Sequence, residues 1–139
     1  MDEKDTSGCF DREAKCFGYK VRFDKNMVHN RLQTLMTHGA SYVAEYKKKI
    51  VGHITSFYTK TGDIYLEFLC VDDDKHRKGI GRTLIRKLED DNQRSNIYLR
   101  TGSNNQSAIK FYLSMGYEIH EVKGDDWKYK DIVMVLKRK

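Results

Sequence analysis

Ile64-Tyr-Leu-Glu-Phe-Leu-Cys-Val71, then Asp72-Asp-Asp-Lys-His-Arg-Lys78, then Gly79-Ile-Gly-Arg-Thr-Leu-Ile-Arg-Lys-Leu88, is the stretch on which the fold turns. Residues 64–71 are apolar at nearly every position, the pattern of a central strand covered on both faces. The run Asp72-Asp-Asp74 ends that strand. From Gly79 onward Ile80, Leu84, Ile85 and Leu88 recur on one stripe while Arg82, Arg86 and Lys87 fall elsewhere, which predicts a helix opened by glycines. Such a helix presents unsatisfied backbone N–H groups at its N-terminus, where they and the macrodipole favour an anion. Gly79 and Gly81 let a phosphate approach the backbone, and Arg77, Lys78 and Arg82 add charge that can meet its oxygens. A lone Gly-x-Gly is weak by itself and is also compatible with an ordinary turn before a solvated helix. The two commonest phosphate motifs are excluded, because Leu84 stands where a dinucleotide fingerprint needs glycine and no Gly-Lys-Ser/Thr follows.

Charge distribution singles out the same region. The chain of 139 residues is 39% hydrophobic and 33% charged, the balance of one globular domain, and its net charge is +6. Residues 75–87 hold six bases and no acid, whereas residues 66–74 hold four acids and no base. The positive surplus is therefore local, and an anionic small molecule competes with nucleic acid as its explanation. Apolar runs such as Ile132-Val-Met-Val-Leu136 are too short to span a bilayer. The polar, acidic start Met1-Asp-Glu-Lys-Asp-Thr-Ser-Gly8 lacks the apolar region of a secretion signal, so a cytoplasmic protein is expected. Cys9, Cys16 and Cys70 form no Cys-x-x-Cys pair, and His29, His38, His53, His76 and His120 lack metal-ligand spacing. Reduced thiols and no metal are expected.

With no proline anywhere, turns are read from Gly, Asn and Asp. Gly18-Tyr-Lys-Val-Arg-Phe23 alternates as a strand, and Asp24 can cap a helix carrying Val28, Leu32, Leu35 and Met36 up to Gly39. Ser41–Tyr46 and Ile50–Tyr58 read as a hairpin turning at Lys47-Lys-Lys49. After the helix at Gly79 come a strand at Ile97-Tyr-Leu-Arg-Thr101 and a helix following Asn105 that presents Ala108, Phe111, Tyr112 and Met115 and stops at Gly116. Strands at Tyr117–Val122 and Ile132–Leu136 close the chain. The order β-α-β-β-β-α-β-α-β-β predicts an α/β (α+β) fold with a mixed sheet in one domain. Residues 1–15 form an N-terminal segment and residues 16–139 the domain.

Val71, a seven-residue interval and Gly79-Ile-Gly81 together resemble the pyrophosphate motif of the GNAT N-acetyltransferase superfamily, Val-…-Gln/Arg-x-x-Gly-x-Gly/Ala. Val43-Ala-Glu with Ile50-Val-Gly52 is similar to the family's hairpin. Asn105-x-x-Ala108-x-x-x-Tyr112-x-x-x-Gly116-Tyr117 is similar to the helix after its fifth strand, and Trp127 through Asp131 to Met134 to its C-terminal strand. His76 stands where the family has Gln or Arg. The resemblance covers roughly residues 40 to 136 and implies a single-domain GNAT-like, mostly antiparallel sheet flanked by helices. It further implies that acetyl-CoA is the co-substrate, held by Leu69, Cys70, Val71, His76, Arg77, Lys78, Gly79, Ile80, Gly81, Arg82 and Asn105.

Acyl transfer from a thioester to an amine requires that the amine lose a proton, and the leaving thiolate benefits from an acid. Glu67 is the only charge in the run 64–71, and strict alternation places it on one face with Tyr65, Leu69 and Val71. A carboxylate so placed is partly desolvated, which suits a general base, whereas its bland reading is an ordinary paired surface glutamate. Ile64-Tyr-Leu-Glu67 resembles the segment in polyamine acetyltransferases whose glutamate assists amine deprotonation. Tyr112 offers a phenol that can protonate a thiolate, and the resemblance assigns it the acid role over that of a core aromatic. Cys70 is read as core, without a catalytic part. These expectations make the chain an acetyl-CoA-dependent N-acetyltransferase moving acetyl directly to a primary amine, such as a small amine or polyamine. The competing readings are a nucleic-acid-interacting module or aminoacyl-tRNA acetylating enzyme, and a non-catalytic acyl-CoA binder. Residues 75–87 lack interleaved aromatics, which argues against an RNA surface there. No membrane partner is expected, and the resemblance leaves a homodimer open.

Overall fold

A computed structural model describes residues 40–72, 79–124 and 130–138. The strand expected at 18–23 and the helix after Asp24 lie outside these residues. Within them the order is β1 (Tyr42–Tyr46), β2 (Lys49–Tyr58), β3 (Ile64–Val71), α1 (Ile80–Asp91), β4 (Ile97–Gly102), α2 (Gln106–Ser114), β5 (Glu118–Lys123) and β6 (Asp131–Leu136). Every element expected in this region is present, with ends within one or two residues of the sequence reading.

The six strands form one sheet in the order β1-β2-β3-β4-β6-β5. β1 pairs with β2, β2 with β3, β4 with β6 and β5 with β6, all antiparallel, while β3 and β4 run parallel. A parallel pair needs a crossover, and α1 supplies it. Its Leu84, Ile85 and Leu88 are buried, and their stripe packs with Ile54, Ile64, Leu66, Ile97, Leu99, Ile132 and Met134 in one apolar cluster. Full burial of side chains of this size stabilises by roughly 1.5–3 kcal/mol each. Tyr112, Met115 and Tyr117 carry the same cluster across to α2. The opposite face is also shielded, since Val51, His53, Thr55, Cys70, Val133 and Val135 are buried.

Two glycines set the approach of the helices. A Cβ on Gly52 would lie 3.1 Å from the Cys70 carbonyl oxygen and 3.3 Å from Ile80 Cγ2, so the missing side chain lets α1 settle on β2. Gly116 has φ 95° and ends α2, with the Tyr117 amide donating to the Tyr112 carbonyl at 3.0 Å across the turn. Glu89 then joins the two helical regions. This buried carboxylate accepts from Arg86 at 2.5 Å and from the Tyr117 hydroxyl at 3.4 Å.

Candidate active site

β3 and β4 share ladder positions only at Ile64–Ile97 and Tyr65–Tyr98. Below that point a group of polar contacts clamps them together. The Ile64 amide donates to the Asn96 carbonyl at 2.9 Å, the Asn96 amide to Asp63 at 3.2 Å, and the Arg138 amide to the Asn96 side chain at 2.7 Å. Beyond it the strands diverge. A cleft of about 300 Å³ opens there, lined among the described residues by Tyr65, Leu66, Glu67, Arg100, Thr101, Gly102 and Asp131.

Glu67 reaches this cleft through an irregularity that strict alternation does not contain. Thr55 of β2 faces Phe68, but Ser56 faces Leu66, so Glu67 is the extra residue of a β-bulge. The bulge resets the period of two. Leu69 and Val71 face Ile54 and Gly52, on the same side as Ile64 and Leu66, whereas Tyr65 faces Phe57 on the other side. The expectation that Glu67, Tyr65, Leu69 and Val71 share a face is therefore corrected. The side chains of Leu69 and Val71 pack against the helix-covered core, while Tyr65 and Glu67 line the cleft. Glu67 is half-buried on the cleft wall.

Tyr112 is buried on α2, its ring edge-on to those of Phe111 at 5.2 Å and Tyr117 at 5.6 Å between centroids. Burial, and after it the neighbouring Cys70 thiol, push the phenol above its ordinary value of 10.0. It therefore stays protonated, a donor beside the end of β3. Cys70 itself is a buried free thiol. Asn105 caps α2, its side-chain oxygen accepting from the Ala108 amide at 3.2 Å, so its visible work is to start the helix that carries Tyr112.

The N-terminus of α1 lies next to the open end of the cleft strand. Gly79 adopts the left-handed conformation at φ 77°, no side chain among the described residues caps the helix, and its first turn contains no acid. The first-turn amides have no intrahelical acceptor, as at any helix start. Gly81 turns inward: a Cβ there would stand 3.7 Å from Phe111 Cζ and 3.8 Å from Leu69 Cδ2 and Val71 Cγ2. Ile80 packs on the core, and exposed Arg82 adds a cation to the first turn. His76, Arg77 and Lys78, also expected at this anion site, lie outside the described residues, as does Trp127. An acid-free helix start of this kind favours an anion. Among the described residues no three His, Cys, Asp or Glu side chains gather as a metal site, and no helix is long and apolar enough to cross a membrane.

Arg100 and Asp131 were not expected here. Alternation along β4 sends Ile97 and Leu99 to the core and Arg100 to the other side, but that pattern becomes informative only once β3 is known to be its neighbour.

Comparison with known proteins bears on the family and the fold. The Acetyltransferase (GNAT) family pattern matches residues 8–117. The fold is similar to that of the Escherichia coli ribosomal-protein-S18-alanine N-acetyltransferase, with 17% identity over 98% of this chain and 89% of that one, at a TM-score of 0.81. The Streptococcus mutans protein smu.2055 superposes over 100% of this chain and 97% of its own, at 21% identity and a TM-score of 0.82. A Bacillus anthracis protein assigned as a streptothricin acetyltransferase, solved with acetyl coenzyme A, shares 25% identity over 69% of this chain and 60% of its own, at a TM-score of 0.64. No curated protein matches the chain in sequence.

Proposed function

The chain belongs to the GNAT acetyltransferase family, and from that premise we propose that it moves acetyl directly from acetyl-CoA to a primary amine bound in the β3–β4 cleft. The observation that carries this reading is the divergence of β3 from β4 beyond Tyr65 and Tyr98, with the bulge residue Glu67 on its wall. Acetyl-CoA supplies a thioester already activated toward amines. The first-turn amides of α1, with Gly79, Gly81 and Arg82, receive its diphosphate, and the backbone of Leu69 to Val71 holds its amide arm. Glu67 accepts the proton that an ammonium must lose before its lone pair can attack. Tyr112 holds a proton for the departing sulfur, and its buried, protonated state supports that role. Residues 16–139 form the catalytic domain in this reading, and the cytoplasm, rich in acetyl-CoA and free amines, is its place of work.

The test is release of free thiol from acetyl-CoA by purified protein against amino acids, polyamines, aminoglycosides, sugar amines and peptide N-termini. Glu67→Gln and Tyr112→Phe are each expected to lower kcat by about 10²–10⁴-fold, the usual range for removal of a general base or acid. Unchanged rates in both variants would remove the two residues from these roles, and no thiol release with any amine would overturn the activity.

A further inference from the structure

The cleft that Glu67 lines also holds a cation. Arg100 lies on β4 beside Val133 of β6, in a strand whose alternate residues Ile97 and Leu99 are buried. Its side chain is 45% exposed. The one acid within ion-pair range among the described residues is Asp131, at 3.9 Å. That separation is longer than the roughly 2.7–3.2 Å of an N–H···O hydrogen bond, so the pair leaves the planar fork of the guanidinium able to take a carboxylate. The cleft thus sets a carboxylate, Glu67, on β3 and a guanidinium, Arg100, on β4, with Asp131 of β6 beside the guanidinium, and all three line the same cavity.

Resting on the N-acetyltransferase reading, we propose that Arg100 selects the acceptor, and that the preferred acceptor is zwitterionic: an amino acid or similarly compact amino-carboxylate. Its amine faces Glu67 and its carboxylate lies on Arg100. A polyamine, which the resemblance around Glu67 suggests, would instead bring a second ammonium to a wall where Arg100 repels it and Asp131 attracts it, so it gains no contact with the guanidinium, whereas a carboxylate does. The acetylated product keeps its carboxylate and loses its positive charge, so product release follows from losing the Glu67 contact. Arg100 is a specificity residue, acting on the acceptor's anionic group and not on the reacting atoms.

Matched acceptors that differ only by a carboxylate test the assignment: L-alanine against ethylamine, 4-aminobutanoate against propylamine, L-phenylalanine against 2-phenylethylamine, with putrescine and spermidine alongside. In the full-length wild-type chain the carboxylate-bearing member of at least one pair is expected to exceed its partner in kcat/KM by about tenfold or more, mainly through KM, in keeping with a charge-assisted contact. Arg100→Gln should bring that ratio to within about threefold, Arg100→Lys should restore part of it, and Arg100→Glu should move the preference toward putrescine. Should a variant fail to fold, as judged by its thermal unfolding, the wild-type ratios decide alone. Turnover with ratios near one in every pair, or a polyamine preference that survives Arg100→Gln, overturns the role of Arg100 while leaving N-acetyl transfer standing. No turnover with any acceptor overturns both.

Discussion

Gly79 and Gly81 look equivalent in the sequence, yet the structure asks different things of them. Among the described residues nothing lies within 4 Å of the Cβ position of Gly79, but its φ is 77°, so alanine there strains the backbone, by about 1 kcal/mol. Gly81 has ordinary helical geometry and room for a methyl at 3.7–3.8 Å from Phe111, Leu69 and Val71. Gly79→Ala is therefore expected to lower stability by about that amount and to weaken acetyl-CoA binding, because the left-handed turn aims the first amides of α1. Gly81→Ala should raise stability by roughly 0.5–1 kcal/mol, as replacing a helical glycine does. Denaturant unfolding and calorimetry with acetyl-CoA read the two effects, and equal losses for both variants would contradict this division. Tyr112 yields a second prediction at this scale. Its phenol lies above its ordinary value because of burial and then Cys70, so its proton is retained throughout the neutral and mildly alkaline range. The rate should show no alkaline decline attributable to Tyr112 below about pH 10. A fall centred near pH 9 that disappears in Tyr112→Phe would refute the assignment.

Among the elements, the hairpin of β1 and β2 was legible from its two β-rich runs, but its turn was not. Tyr46 and Lys49 face each other, so Lys47 and Lys48 form a two-residue loop, and both are left-handed at φ 49° and 64°. Asn-Gly is the pair that suits such a loop, and lysines fill it against a local steric penalty. The Lys47 ammonium lies 5.5 Å from the Tyr46 ring centroid, a partial compensation. Replacing Lys47-Lys48 by Asn-Gly is expected to stabilise the chain by about 1 kcal/mol, from relief of left-handed strain. A lowered midpoint in urea unfolding would contradict that expectation. The bulge at Glu67 marks the limit of sequence reading more sharply. The apolar run announces β3 and even its ends, Ile64 and Val71, but a bulge is a property of two paired strands, and no residue in the run betrays it. For the same reason Glu67 could be chosen as a candidate from its charge, while its neighbours on the cleft wall could not.

At the scale of the whole molecule, what the sequence showed were local periodicities, and what it withheld were distances between segments far apart in the chain. The cleft joins residues 65–67 to residues 100–102 and 131, and only the parallel pairing through α1 brings them together. A similar long-range link ties the edge of the sheet to that crossover helix. The Tyr42 hydroxyl donates to Asp91 at 2.8 Å across 49 positions, and Lys87 approaches the same carboxylate at 3.2 Å. Folding changes the titration of both partners in opposite senses. Asp91 is held below its ordinary value, first by the Tyr42 hydroxyl and then by Lys87, whereas Tyr42 is pushed up, first by burial and then by Asp91. A carboxylate with a depressed folded-state pKa contributes stability above its unfolded value near 3.9 and loses it as pH falls through the lower folded value. A phenol with a raised folded-state pKa contributes stability below about pH 10 and loses it as pH rises toward the higher folded value. The melting temperature of the wild type should therefore exceed that of Tyr42→Phe by a constant margin from pH 6 to about pH 9, and the margin should shrink at higher pH as the unfolded phenol ionises. Against Asp91→Asn the margin should shrink instead below about pH 4. If the Tyr42→Phe margin stays flat to pH 11, or the Asp91→Asn margin widens in acid, the bridge between β1 and α1 does not contribute to stability in the way its geometry requires.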